Sequence, residues 1–154
     1  MTNNKEYEKF LGWTNGNRDA AVFLYEIFKI SQIIDDVVDQ DEPPEMIVPA
    51  ISKLISLMGF NQFYKQNAIA LSGIMISSLT MWAATNTLAK SSRPLTQMYG
   101  FVYREVLEQI IPFVAMLCGV DEIRCIEIAL EVNKLYHTDD QESFAEWQQE
   151  VRHG

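Results

Sequence analysis

Apolar side chains recur at intervals of three and four along most of the chain, and nowhere do they alternate singly with polar ones over a sustained stretch. The first spacing is that of a helix face and the second that of a strand, so the pattern predicts helices and no strands. A short first helix, capped by Thr2 or Asn3, ends near Trp13 ahead of the turn cluster Thr14-Asn15-Gly16-Asn17. Asn17 caps a second helix over about 18–40, which Pro43 and Pro44 stop because proline cannot continue the backbone ladder. A third helix is expected over 44–58, ending at Gly59, and a fourth over 61–89, ended by Ser91-Ser92-Arg93-Pro94. A fifth covers 94–118 with a kink at Pro112 and a stop at Gly119. A sixth covers about 120–136 with Asp121 near its start, and a seventh 138–152. The expectation is one all-α domain over residues 1–154, a bundle of about seven helices whose short loops set neighbours roughly antiparallel.

Two of these helices stand out. In the second, Ala20, Phe23, Leu24, Ile27, Ile30, Ile34, Val37 and Val38 form one apolar stripe, and Val22, Tyr25, Phe28 and Ile33 lie off it. A helix apolar on several sides is central rather than peripheral. The stretch 68–84 is the most apolar of the chain, yet it carries Ser72, Gly73, Ser77, Ser78 and Thr80. It is marginal for spanning a bilayer and predicts a buried central helix. There the small Ser72, Gly73, Ser77, Ala83 and Ala84 would permit close contact between helices. Met75, Met81, Trp82 and Phe101 are expected in the core.

Composition narrows the classes. Hydrophobic residues make up 48% of the 154 and charged ones 21%, which excludes a disordered chain. The net charge of -9 excludes a basic nucleic-acid surface and disfavours anionic membranes. It suits cations, basic partners, or an anion bridged by a metal. Cys118 and Cys125 match no zinc spacing and read as reduced thiols. With a polar N-terminus lacking a signal-peptide stretch, they suggest a cytoplasmic protein.

The chemistry concentrates at the end of the second helix. Asp35, Asp36 and Asp39 span about 100° of its surface, with Asp35 and Asp39 one turn apart. Like charges at that spacing repel, and the negative end of the helix dipole adds to the cost. A plain acidic helix end exposed to water accounts for such a run. The alternative is that a divalent cation relieves the repulsion, carboxylate oxygens being hard ligands suited to Mg²⁺. The stretch Gln32-Ile33-Ile34-Asp35-Asp36-Val37-Val38-Asp39 resembles the D-D-x-x-D motif of class I isoprenoid synthases. That resemblance implies an all-α, isoprenoid-synthase-like bundle in which Asp35, Asp36 and Asp39 hold Mg²⁺. The metal would bind a prenyl diphosphate and assist its departure, beside an apolar pocket expected at Tyr25, Phe28 and Ser31.

The sequence departs from that family where a second metal motif and an arginine pair would stand; Gln40-Asp41-Glu42-Pro43-Pro44 follows the aspartates instead. Asp139, Asp140, Glu142 and Glu146, with Glu150 extending the ridge, offer a second acidic cluster that could face the second helix. Their plainer reading is a solvated helix face. A two-fold homodimer could instead bring two aspartate clusters across one cavity. Arg104 could contact an anion or pair with Glu108 one turn on. His137 could act as a base or simply as a favourable charge at a helix C-terminus. Glu150 and His153 supply one E-x-x-H, and a di-iron bundle needs two, so that reading is rejected. Three alternatives to a prenyl-diphosphate enzyme remain. They are a non-enzymatic helical protein for assembly or partner binding, an isoprenoid-synthase relative without turnover, and a helical nucleotide pyrophosphatase.

Overall fold

Asn17 accepts a hydrogen bond from the backbone N–H of Ala20 at 3.0 Å and so starts the helix around which the core forms. The computed structural model describes residues 4–138 and 142–153. Its elements are α1 (Asn4–Trp13), α2 (Arg18–Val38), a 3₁₀ turn (Pro44–Met46), α3 (Ile47–Phe60), α4 (Gln62–Gln66), α5 (Ala68–Ala89) and α6 (Pro94–Tyr103). A second 3₁₀ turn (Val106–Gln109), α7 (Ile110–Leu117), α8 (Glu122–Tyr136) and α9 (Phe144–His153) follow. No strand occurs among the described residues, so the protein is an all-α bundle.

The differences from the seven expected helices lie at internal breaks. The long fourth helix is split: Asn61 caps α4 by accepting from the N–H of Tyr64 at 2.8 Å, and its amide donates to the Asp19 carbonyl of α2 at 2.9 Å. Asn67, with φ -122° and ψ 21°, leaves helical geometry and separates α4 from α5. The fifth helix breaks after Tyr103 rather than kinking at Pro112. Proline then falls on the third residue of α7, where the backbone N–H has no helical partner in any case. Asp121 caps α8 by accepting from Arg124 N–H at 2.9 Å, so the helix starts at Glu122, two residues later than expected. The last helix starts later than expected, behind a reciprocal cap: Ser143 Oγ accepts from Glu146 N–H, and Glu146 accepts from Ser143 N–H.

The core forms around about the first three and a half turns of α2. Ala20, Ala21, Phe23, Leu24, Tyr25, Ile27 and Ile30 are buried. All of these but Ile30 join Phe10 of α1, Phe63 and Tyr64 of α4, Leu71 of α5, Ile110, Ile111 and Val114 of α7, and Ile128 and Val132 of α8 in one cluster. Beyond Ile30 this burial ends: Ile33, Ile34 and Val37 are half-buried, and Val38 is exposed.

The expectation of a buried fourth-helix segment fails. On α5 the buried residues are Leu71, Ser78, Thr85 and Ala89, while Ile69 is 94% exposed and Ile76 65%. A helix apolar on every side carries no mark of which side faces its own core, so the sequence alone could not orient it. Met75, Met81, Trp82 and Phe101 are half-buried. On its inner side α5 meets α6 closely: a methyl at Gly100 would lie 3.1 Å from Leu88 Cβ and 3.2 Å from the Ala89 nitrogen. The Gln97 amide donates to the Ala89 carbonyl and accepts from Gln148, joining α5, α6 and α9. Phe101, Phe144 and Trp147 pack ring against ring between α6 and α9, with Phe101 5.4 and 5.5 Å from the other two.

Phe23 has no exposed surface and packs against Phe63 and Tyr64 with ring centroids 6.1 and 6.0 Å away. Phe23→Ala is expected to lower unfolding free energy by about 3–5 kcal/mol, measured by urea denaturation, because the transfer and cavity losses add.

Candidate functional site

The last turn of α2 presents the three aspartates at the edge of the core. Asp35 and Asp39 are exposed and Asp36 is half-buried. The backbone closes on itself here. Asp39 N–H donates to the Asp35 carbonyl at 2.8 Å, and the N–H groups of Asp41 and Glu42 donate to the Asp36 carbonyl at 2.9 and 3.1 Å. Gln40 takes a positive φ of 66° to make the turn. Pro43 and Pro44 therefore follow a helix that has already ended, and Pro44 opens the 3₁₀ turn instead.

Protein around these carboxylates changes their chemistry. Partial burial pushes the Asp35 carboxyl above its usual range, and the charges of Asp39 and Asp36 add to the shift. Glu105 pushes the same way, and contact with the Trp82 side chain of α5 opposes it. Asp39 is also raised, first by partial burial, then by Glu150 of α9, Asp41 and Asp36. The last helix thus brings a carboxylate toward the end of α2. Glu142 is raised by partial burial and by a hydrogen bond with Glu150, against the attraction of Arg104.

Of the second acidic cluster, Glu142, Glu146 and Glu150 lie near one another, and two of them have further partners. Glu142 pairs with Arg104 at 3.3 Å, and Glu146 is occupied in capping α9. Asp139 and Asp140 lie outside the described residues. Among the described residues no three or more His, Cys, Asp or Glu side chains are placed to hold one metal ion. The donors suit Mg²⁺ by type, but Asp35, Asp36 and Asp39 do not form a closed coordination set.

Arg104 pairs with Glu105 at 3.4 Å and with Glu142, and its guanidinium lies 4.3 Å from the centre of the Phe101 ring. Its Nε is buried without a hydrogen-bond partner. Two carboxylates already share the cation expected to contact an anion, and the pairing with Glu108 is not made. Glu108 instead meets His137, Oε2 to Nε2 at 2.9 Å. Burial pushes the Glu108 carboxyl up, while the bond to His137 opposes this. His137 is the C-cap of α8.

The residues expected around a pocket are packing residues. Tyr25 is buried, with the Lys29 ammonium 4.5 Å from its ring centre. Phe28 stacks on Phe10 at 5.9 Å, and Ser31 donates its hydroxyl hydrogen to the Phe28 carbonyl at 2.7 Å. None of the three lines the cleft of about 410 Å³ whose wall includes Tyr103, Arg104, Glu105, Glu108, Asn133 and His137. The Glu108–His137 contact, across 29 positions of sequence, left no local signal to find. The Ser143–Glu146 cap did: Ser-x-x-Glu before an amphipathic stretch is a helix-start signature.

No protein-family model matches the chain, and comparisons with curated proteins and with solved structures find no match either.

A carboxyl with a raised pKa in the folded state binds its proton more tightly there than in the unfolded chain. Its stabilising effect is complete below the usual carboxylate range and is lost as pH rises through the folded value. Asp35→Asn and Asp39→Asn are therefore expected to raise the thermal midpoint at about pH 7. The gain should vanish toward about pH 4, where the wild type becomes protonated. Scanning calorimetry at the two pH values checks this; an unchanged midpoint at neutral pH refutes it.

Proposed function

We propose that this chain is a structural subunit of a helical protein assembly, with apolar helix faces that are completed by contact with other subunits. The carrying observation is surface area. The chain exposes 9971 Å², whereas a globular monomer of 17.7 kDa exposes about 8,000 Å² by the usual scaling with mass. The surplus of about 2,000 Å² per chain is of the size each partner buries in an obligate interface.

Exposed apolar residues lie in rows along three of the helices. Val48, Ile51, Ile55 and Met58 are exposed along α3; Leu95, Met98, Tyr99 and Val102 along α6; Ile123, Ile126 and Leu130 along α8. Scattered apolar residues are normal on a monomer, but extended rows mark interaction surfaces. An assembly role makes no demand on a coordination site and accommodates aspartates that face water.

A second reading keeps the Mg²⁺-dependent binding of a prenyl or inorganic diphosphate, as in an isoprenoid-synthase-like protein, active or degenerate. The observation favouring it is the approach of Glu150 to Asp39, which adds a carboxylate from α9 to the pair on α2. On this reading Asp35, Asp36 and Asp39 hold the metal, whose charge relieves their repulsion and binds the diphosphate.

Sedimentation equilibrium separates the first reading from its failure. The expected mass is a multiple of 17.7 kDa with little binding of a hydrophobic dye. A monomer that leaves the dye dark would refute it. The second reading is tested by calorimetric titration of Mg²⁺, with and without inorganic pyrophosphate, into wild type and Asp35→Ala/Asp39→Ala. Metal-dependent pyrophosphate binding lost in the variant is its expected outcome, and no binding to either protein rejects it.

A further inference from the structure

The outer face of α5 has a spacing that the assembly reading does not require. Ile69, Gly73, Ile76, Thr80, Ala83 and Thr87 are all exposed, at alternating intervals of four and three. That is a repeat of 3.5 residues, the one that keeps a seam facing a second helix over several turns. The seam is about 27 Å long at 1.5 Å per residue. No Asp, Glu, Lys or Arg occurs anywhere in Ala68–Ala89, and Lys65 and Lys90 lie beyond its ends. A Cβ added at Gly73 would touch nothing, so the space before the seam is open. The Thr80 hydroxyl is satisfied within the helix, donating to the Ile76 carbonyl at 2.8 Å.

We infer that this seam pairs with the same seam of a second copy of the chain, antiparallel about a two-fold axis near residue 78; the inference rests on the assembly reading above. Self-complementarity is the argument for a copy. Reversing the seam about that axis sets Ile69 against Thr87 of the second copy, Ile76 against Thr80, and Gly73 against Ala83. Each large side chain meets a smaller one, and the two smallest meet each other where the backbones approach closest. A two-fold contact requires this reciprocity. Antiparallel helices also oppose their dipoles favourably. The exposed surplus of about 2,000 Å² leaves room for this contact and for the adjoining apolar row of α6 in one obligate dimer interface.

A bilayer is the competing occupant, because α5 is long and apolar enough by composition to cross one. Lipid gives no account of the glycine, alanine and threonine exposed at Gly73, Thr80, Ala83 and Thr87. The inner side of α5 is also held by protein: Ser78 Oγ accepts from the Gln109 amide at 2.9 Å, and α6 packs against Leu88 and Ala89.

The test measures mass by light scattering for wild type, Ile76→Glu and Ile76→Ser, with circular dichroism to confirm that each variant stays helical. It adds oxidative cross-linking of the Gly73→Cys/Ala83→Cys double variant and of Gly73→Cys alone. The expected result is a wild-type mass of twice 17.7 kDa. The dimer dissociation constant should rise at least tenfold in Ile76→Glu and less in Ile76→Ser. The double variant should give a reducible dimer that Gly73→Cys alone does not form. An assembly unaffected by Ile76→Glu overturns the α5 seam and leaves the assembly reading standing. Efficient cross-linking through Gly73→Cys alone overturns the antiparallel arrangement. A monomer that stays monomeric overturns both readings, and one that partitions onto neutral phosphatidylcholine vesicles assigns the face to lipid instead.

Discussion

Phe23 and Leu24, wholly removed from water on α2, set the constraint that the other helices obey. Each core helix contributes a few side chains to a cluster centred on one stretch of α2. Phe10 of α1, Phe63 and Tyr64 of α4, and Ile111 and Val114 of α7 all belong to it. The cluster is off-centre. It is confined to about the first three and a half turns of α2, so the last two or so extend beyond it with the aspartates at their end. Carboxylates there keep partial access to water, and their crowding is a cost borne by the rest of the fold.

An off-centre core also explains the apolar faces left outside. With α2 surrounded at one end, α3, α5, α6 and α8 each present one side to the cluster or to a neighbour and the other to the exterior. In a chain of this size those outer sides would be polar if they ended in solvent. They carry isoleucine, leucine, methionine and valine at helical intervals instead. The same hydrophobic content that excludes disorder at the level of composition is thus divided between an inner core and exposed helix faces.

Much of this was legible in sequence, with limits that have physical causes. The helix class followed from the spacing of apolar residues, and Asn17 acts as the cap its position suggested, while Asp121, expected near the start of its helix, stands just before it as the cap. Asn67 breaks what looked like one long helix, because asparagine within an apolar run can cap or interrupt, and here its amide bonds back to the Phe63 carbonyl. The orientation of α5 was illegible since apolar residues surround it on all sides. The carboxylate crowding of Asp35, Asp36 and Asp39 was readable from their spacing. The groups that modify it, Trp82, Glu105 and Glu150, come from three distant segments.

The docking of α9 carries a consequence for how uniformly the molecule holds together. This helix lies against α6 through Phe144 and Trp147 on Phe101, the Gln148–Gln97 bond and the Glu142–Arg104 ion pair, away from the cluster around α2. Helices tied down by so few buried groups open at free energies well below that of global unfolding, and their amide hydrogens exchange correspondingly early. Each such opening withdraws Glu150 from Asp39 and Glu142 from Arg104. The electrostatic potential over the end of α2 is therefore tied to a local equilibrium of α9, turning less negative near Asp39 whenever the helix lifts away.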